Sequence, residues 1–188
     1  MLAKGLLMKT SFLIFVSLLV FSFTAYAQTA TDRDKGIEVY RQGEYEKAAQ
    51  ILQESVKVEK KDRLAWLYLG ASFVKLKKDS EAAKAFRKTN VVYKKNVPVY
   101  DRPLKIISKP PVAYTEAARR NQVSGNIKVA VEFGADGKIG FAFPFLDLPD
   151  GLTANAINAA KSIKFEPAFK DGKSITVVSV IEYSFSIF

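Results

Sequence analysis

The 188-residue sequence contains no cysteine and no histidine. Without cysteine there is no disulfide, no thiolate metal site, no iron–sulfur cluster and no thiol nucleophile. Without histidine there is no Ser–His–Asp triad, no imidazole zinc site and no side chain that ordinarily titrates near neutrality. Catalysis would have to rest on carboxylates, Lys, Ser, Thr or Tyr. The carboxylates to consider are Glu132, Asp136, Asp147 and Asp150, because paired carboxylates hydrolyse polysaccharides. A turn accounts for Asp136 and a loop for Asp150, and no pair sits on a recognisable catalytic frame. The chain reads as a non-enzyme, with no metal and no cofactor expected. At 48% hydrophobic and 26% charged it is globular, and its length suits one or two domains.

The N-terminus carries Lys4 and Lys9, then an uncharged stretch from Thr10 to Thr31 whose most apolar part runs from Phe12 to Phe23. It closes in Ala25-Tyr26-Ala27-Gln28. A basic start, a short apolar core and an Ala-x-Ala exit predict a secretory signal peptide over residues 1–27. The alternative is an uncleaved anchor, since Thr10–Thr31 is just long enough to span a bilayer. The remainder is exported in both cases. It is periplasmic if cleaved, or held at the inner membrane facing the periplasm if not.

Positive charge is unevenly spread. Residues 28–100 hold 16 basic and 10 acidic side chains, against 11 and 9 in residues 101–188. In an exported protein this points to anionic lipid, acidic polymer or acidic protein before nucleic acid. No nucleic-acid partner is expected.

Shifted by 34 residues, the first half aligns with itself: Gly36 with Gly70, Ala48 with Ala82, Ala49 with Ala83, Leu52 with Phe86. The second copy reads Trp66-x2-Leu69-Gly70-x2-Phe73, then Ala82-x3-Phe86. The first is weaker at its start, with Asp32 and Lys35 where Trp and Leu would sit, but recovers in Gly43–Ala49. Ala48, Ile51, Leu52 and Val56 share one helical face, as do Ala82, Ala83, Phe86 and Thr89. Small residues at Gly36, Ala48, Gly70 and Ala82 let paired helices approach, and Trp66, Phe73 and Phe86 fill the space between them. A 34-residue period in these residue types resembles the tetratricopeptide repeat, with two copies over residues 32–95. The resemblance implies all-α helical hairpins whose concave face holds a second envelope protein. Such arrays need about three units for stability. A helix continuing through Asn90–Lys95, or the second half, is expected to cap the stack. Lys60-Lys61 and Lys94-Lys95 are also one period apart and read as solvated lysines along one edge.

Residues 96–111 contain Pro98, Pro103, Pro110 and Pro111. They predict a semi-rigid linker reaching at most about 50 Å. Leu104, Ile106 and Ile107 suggest that part of it packs on a domain.

The second half alternates element types. Tyr114–Asn121 predicts a short helix with Ala117-Ala118 inward. Ile127, Val129, Val131 and Phe133 alternate with Lys128, Ala130 and Glu132 as a half-buried strand. Gly134–Gly137 turns it back into a strand over Ile139–Phe145. Thr153 is the expected cap of a helix over Ala154–Ile163. After a second turn at Asp171-Gly172, Ser174–Ile187 predicts one long alternating strand. The terminal Tyr183-x-Phe185-x-x-Phe188 suggests a barrel end, but too few strands are present for a barrel.

The run of Tyr114, Ala117-Ala118, Gly125, Ala135-Asp136-Gly137-Lys138, Leu148-Pro149-x-Gly151-Leu152-Thr153, Ala156, Ala159-Ala160, Phe165-x-Pro167-Ala168, Gly172-Lys173 and Glu182-Tyr183-Ser184-Phe185 resembles the C-terminal domain of the TonB family. One departure is Thr115, where many members have Pro. The resemblance covers residues 112–188 and implies an α+β fold, a small antiparallel sheet with two helices. It implies that the last strand is an edge pairing with an outer-membrane transporter segment, a form of β-augmentation. The candidate edge residues are Ser174, Ile175, Thr176, Val177, Val178, Ser179, Val180, Ile181, Glu182, Tyr183, Ser184 and Phe185. A homodimer through the same edge is the other occupant. An inner-membrane motor is implied only if the chain is anchored, which would make it an energy transducer of transmembrane transport.

Overall fold

The computed structural model describes residues 32–89 and 100–187. The signal or anchor segment, the expected Asn90–Lys95 helix, Lys94-Lys95 and Pro98 lie outside the described residues.

Two helical hairpins come first: α1 (residues 32–41) with α2 (Tyr45–Val58), and α3 (Arg63–Lys75) with α4 (Asp79–Lys88). Gly43 adopts φ +86° in the turn after α1, a conformation residues with a Cβ avoid. Asp62 caps α3, its carboxylate accepting from the N–H groups of Leu64 and Ala65 at 3.0 Å each. The 34-residue match is realised in packing. A Cβ on Gly36 would stand 2.7 Å from Leu52, and one on Gly70 would stand 2.7 Å from the Phe86 ring. These two contacts are one period apart and share one cause, a glycine that lets two helices approach. Ala48, Leu52, Leu69, Phe73, Ala82 and Phe86 are all buried. Trp66 packs against this core from a half-buried position, its indole N–H donating to the Lys60 carbonyl at 2.9 Å.

Five short elements frame the longer strands: β1 (Lys105–Ser108), α5 (Glu116–Arg120), β4 (Lys164–Glu166), β5 (Ala168–Lys170) and β6 (Lys173–Ile175). The main sheet is β2 (Gly125–Phe133), β3 (Ile139–Leu146) and β7 (Val177–Phe185), in the antiparallel order β3-β2-β7. The remaining helix is α6 (Leu152–Lys161). β1 pairs with β4, so part of the proline-rich segment is built into the fold.

Two local expectations change. The long strand from Ser174 is broken at Thr176: Ser174 and Ile175 pair in β6 with β5, across an Asp171-Gly172 turn where both residues have positive φ. Only residues 177–185 join the sheet. Thr153 does not cap α6. Its hydroxyl closes the preceding loop instead, donating to the Leu148 carbonyl and accepting from the Leu148 N–H, and Gly151 takes the cap position. Thr115 caps α5 by accepting from Ala118 N–H, which gives the departure from Pro a local purpose.

The largest correction concerns β2. Its expected solvent face is covered, with Ala130 fully buried and Glu132 6% exposed. Ala130, Phe145 and Val178, with Phe141, Phe143 and Val180 beside them, join the core of the helical hairpins. Ile127, Val129, Val131, Phe133, Ile181, Tyr183 and Phe185 face the other way, against α5 and α6. The two-residue period of a strand thus feeds two cores, one on each side of the sheet.

Candidate functional site

β7 pairs with β2 through nine consecutive residues with no register shift, from Val177 opposite Phe133 to Phe185 opposite Gly125. No strand lies on its other side among the described residues. In an antiparallel ladder, alternate residues turn both backbone groups toward the neighbour and the others turn both away. The Val178 N–H meets the Tyr68 hydroxyl, and the Glu182 carbonyl accepts from the Lys109 ammonium at 2.8 Å. Val178, Val180, Glu182 and Ser184 are therefore the outward-facing residues. The same parity sends Val178 and Val180 toward the helical hairpins and Ile181, Tyr183 and Phe185 toward α6.

The two ends of this edge differ. At the Val178 end, Arg41 donates from Nε to the Thr176 carbonyl at 3.2 Å, and the Tyr68 hydroxyl lies 3.4 Å from both the Thr176 carbonyl and the Val178 N–H. Tyr68 is 1% exposed, and burial, opposed in part by Arg41, raises its pKa. Tyr100 stands near Tyr68 and Arg41, with its pKa pushed up to about 12 by burial first of all. At the Ser184 end the only such cover among the described residues is Lys109, an exposed side chain whose ammonium also sits 4.6 Å from the centre of the Tyr183 ring. The Tyr183 hydroxyl is buried with no hydrogen-bond partner among the described residues.

Behind the edge, Glu132 ties sheet to helices. Its carboxylate accepts from the Tyr40 hydroxyl and pairs with the Lys75 ammonium at 2.7 Å. The Tyr40 pKa is raised by burial and then by the Glu132 charge. Gly140 leaves the space: a Cβ there would overlap the Glu132 carboxylate. Phe86 rests on Phe143 and Phe145, with ring centres 5.7 and 5.6 Å away. The sides of α1 and α3 that carry Tyr40, Tyr68 and Lys75 are thus occupied by the chain's own sheet.

The other carboxylates stand apart from this cluster. Asp136 accepts from the Lys138 N–H in its turn, Asp150 accepts from the Asn121 side chain, and Asp147 is exposed. No group of three or more acidic residues is placed to hold a metal among the described residues. A cavity of about 470 Å³ lies at the seam between α1 and the β5–β6 turn, lined by Glu38, Arg41, Lys170, Asp171 and Lys173 among others. No helix among the described residues is long and apolar enough to cross a membrane.

Of the expected edge residues, Val178, Val180, Glu182 and Ser184 present backbone outward. Val177, Ser179, Ile181, Tyr183 and Phe185 turn theirs to β2, and Ser174, Ile175 and Thr176 lie off the edge. Sequence reasoning missed Tyr40, Arg41, Tyr68, Lys75 and Lys109. One signal was present: Arg41 and Lys75 are 34 residues apart, Lys75 reaching Glu132 of β2 and Arg41 the Thr176 carbonyl just before β7.

Residues 110–187 match the family model of the Gram-negative bacterial TonB protein C-terminal. The solution NMR structure of the Pseudomonas aeruginosa TonB CTD is similar at 23% identity, covering 46% of this chain and 89% of its own, with a TM-score of 0.38. No curated protein sequence matches the chain.

Proposed function

We propose that this chain, with a TonB C-terminal region over residues 110–187, is an exported, non-enzymatic TonB-like adaptor. Its β7 edge takes an extended segment of an outer-membrane transporter by strand addition. The observation that carries the reading is the regular outer side of β7, along which no other strand lies among the described residues. Its backbone groups at Val180 and the Glu182 N–H can pair with an incoming strand without rearrangement of the sheet, and the Glu182 carbonyl joins them once Lys109 moves away. The N-terminal hairpins are read as two tetratricopeptide-like repeats and residues 1–27 as a signal peptide. A second envelope partner would have to meet the hairpins away from Tyr40, Tyr68 and Lys75, which engage the sheet.

Proline at an outward-facing position removes a donor the sheet does not use. Val180→Pro should keep the far-UV spectrum and cooperative melting while abolishing capture of synthetic peptides copied from the periplasmic N-terminal segments of transporters in the same genome. Undiminished capture by a folded Val180→Pro protein would sink the reading.

The alternative is an anchored energy transducer, supported by the uncharged stretch Thr10–Thr31. Intact mass from the native envelope fraction separates the two. A chain starting at Gln28 supports the soluble adaptor; a full-length chain in the membrane fraction supports the transducer, driven by an inner-membrane motor.

A further inference from the structure

We infer that Tyr68 and Arg41 of the helical hairpins form a register stop for strand addition on β7. The stop ends an added strand opposite Val178 and leaves the Ser184 end open to it. The inference rests on reading β7 as the binding edge and goes beyond it by assigning the stop to the helical region, outside the TonB-like match.

An added antiparallel or parallel strand needs successive outward groups: the N–H and C=O of Val178, Val180, Glu182 and Ser184. At one end the Tyr68 hydroxyl faces the Val178 N–H and, with Arg41, the Thr176 carbonyl. Tyr68 is 1% exposed and sits on α3 between packed neighbours, so an incoming backbone cannot displace it without lifting the helix. The Val178 carbonyl, both Val180 groups and the Glu182 N–H have no such cover among the described residues. At the other end Lys109 covers the Glu182 carbonyl from an exposed position. An exposed ammonium is released to water at little cost, so this end opens when a strand arrives.

The asymmetry dictates what kind of segment fits. Its paired part runs opposite residues 178–184 and is about seven residues long, since successive residues advance about 3.3 Å along both strands. The partner chain must leave the sheet at Val178, where the helices stand. A long uninterrupted strand would collide there, so the stop also disfavours continuous edge-to-edge pairing of two copies.

The absence of cysteine permits a test that does not depend on the natural partner. Ser186→Cys provides a single attachment point for a disulfide-tethered Thr-Val-Thr-Val-Thr peptide on a short glycine linker, present at about millimolar effective concentration. Amide exchange is then followed by NMR. The expected result is protection of Val180 and Glu182 by about tenfold or more, with the Val178 amide unchanged. In Tyr68→Ala, which removes the ring that stands at Val178, the Val178 amide exchanges faster without the peptide and joins the protected set with it. Arg41→Ala serves as a second variant should Tyr68→Ala fold poorly, and should let the footprint move toward Thr176. No protection of Val180 and Glu182, or the same footprint in native and variant proteins, overturns the register stop. If the tethered strand adds as described while no transporter segment binds the native chain, the stop stands and the transporter reading falls.

Discussion

The two edges of the main sheet are built differently. β3 carries Pro144, which has no N–H to offer, and its pairing with β2 shifts register twice, near Val129 and near Phe133. Its Phe145 carbonyl receives Arg87 from α4. Irregularity, proline and a covering cation are the means by which proteins blunt an edge. β7 has no proline and no bulge, and keeps register through nine pairs. Among the described residues its cover is confined to its two ends. On the proposed reading, a sheet that blunts one edge and leaves the middle of the other regular offers that middle to an added strand. The protection of β7 at Val178 comes from the helical hairpins, so the N-terminal half takes part in shaping the edge as well as bracing the sheet.

The largest effect that would break this comparison lies within β7. Ser179→Pro deletes a donor that faces β2 opposite Val131, leaves its ladder partner unsatisfied, and should cost about 1–3 kcal/mol in chemical denaturation. Val180→Pro, one residue on, should cost much less. Equal losses would mean that the assignment of inward and outward residues is wrong. Next, Lys75→Met removes the cation from buried Glu132 and should destabilise the protein by about 2–3 kcal/mol. The same variant should speed exchange of the Val178 amide more than that of Val129, because it loosens the helices from the sheet. Gly70→Ala pushes a Cβ into the Phe86 ring and should cost about 1–3 kcal/mol. This loss should be larger than that of Gly36→Ala, whose neighbour Leu52 has freer rotamers.

A pH series sharpens the closed end. Burial raises the pKa of Tyr40, Tyr68 and Tyr100 above the usual value near 10. The folded state then holds protons that the unfolded chain releases. Stability is therefore fully present below about pH 10 and falls as pH rises beyond it. Urea midpoints between pH 8 and 11 should show that decline, with a shallower slope in Tyr40→Phe. The smallest expected effect is at the blunted edge. Pro144→Val restores an N–H to β3 and should change stability by less than about 1 kcal/mol while raising self-association at high concentration, read by sedimentation.

Much of the fold was legible locally. The Gly36–Leu52 and Gly70–Phe86 approaches follow from a 34-residue match, and the β2–β3 turn follows from Gly134–Gly137. Thr153 and the Ser174–Thr176 stretch were misjudged because their patterns fit two local structures, and packing against Leu148 and β5 selected the less obvious one. Glu132 was misjudged for a different reason. On a strand with one solvent face it would be an ordinary exposed carboxylate, and only a partner from a distant segment makes it a buried one. Tyr68 and Lys109 carry no local mark at all.

Periodicity, glycine placement and turn chemistry were enough to set the element order, the helical hairpins and the alternation of β7, because these depend on neighbours a few residues apart. Which side of β2 sees water, which edge of the sheet stays open and where along β7 pairing must stop depend on residues such as Tyr68 and Val178, 110 positions apart. Those choices belong to the tertiary structure, since a backbone group is free or covered only in relation to what has folded beside it.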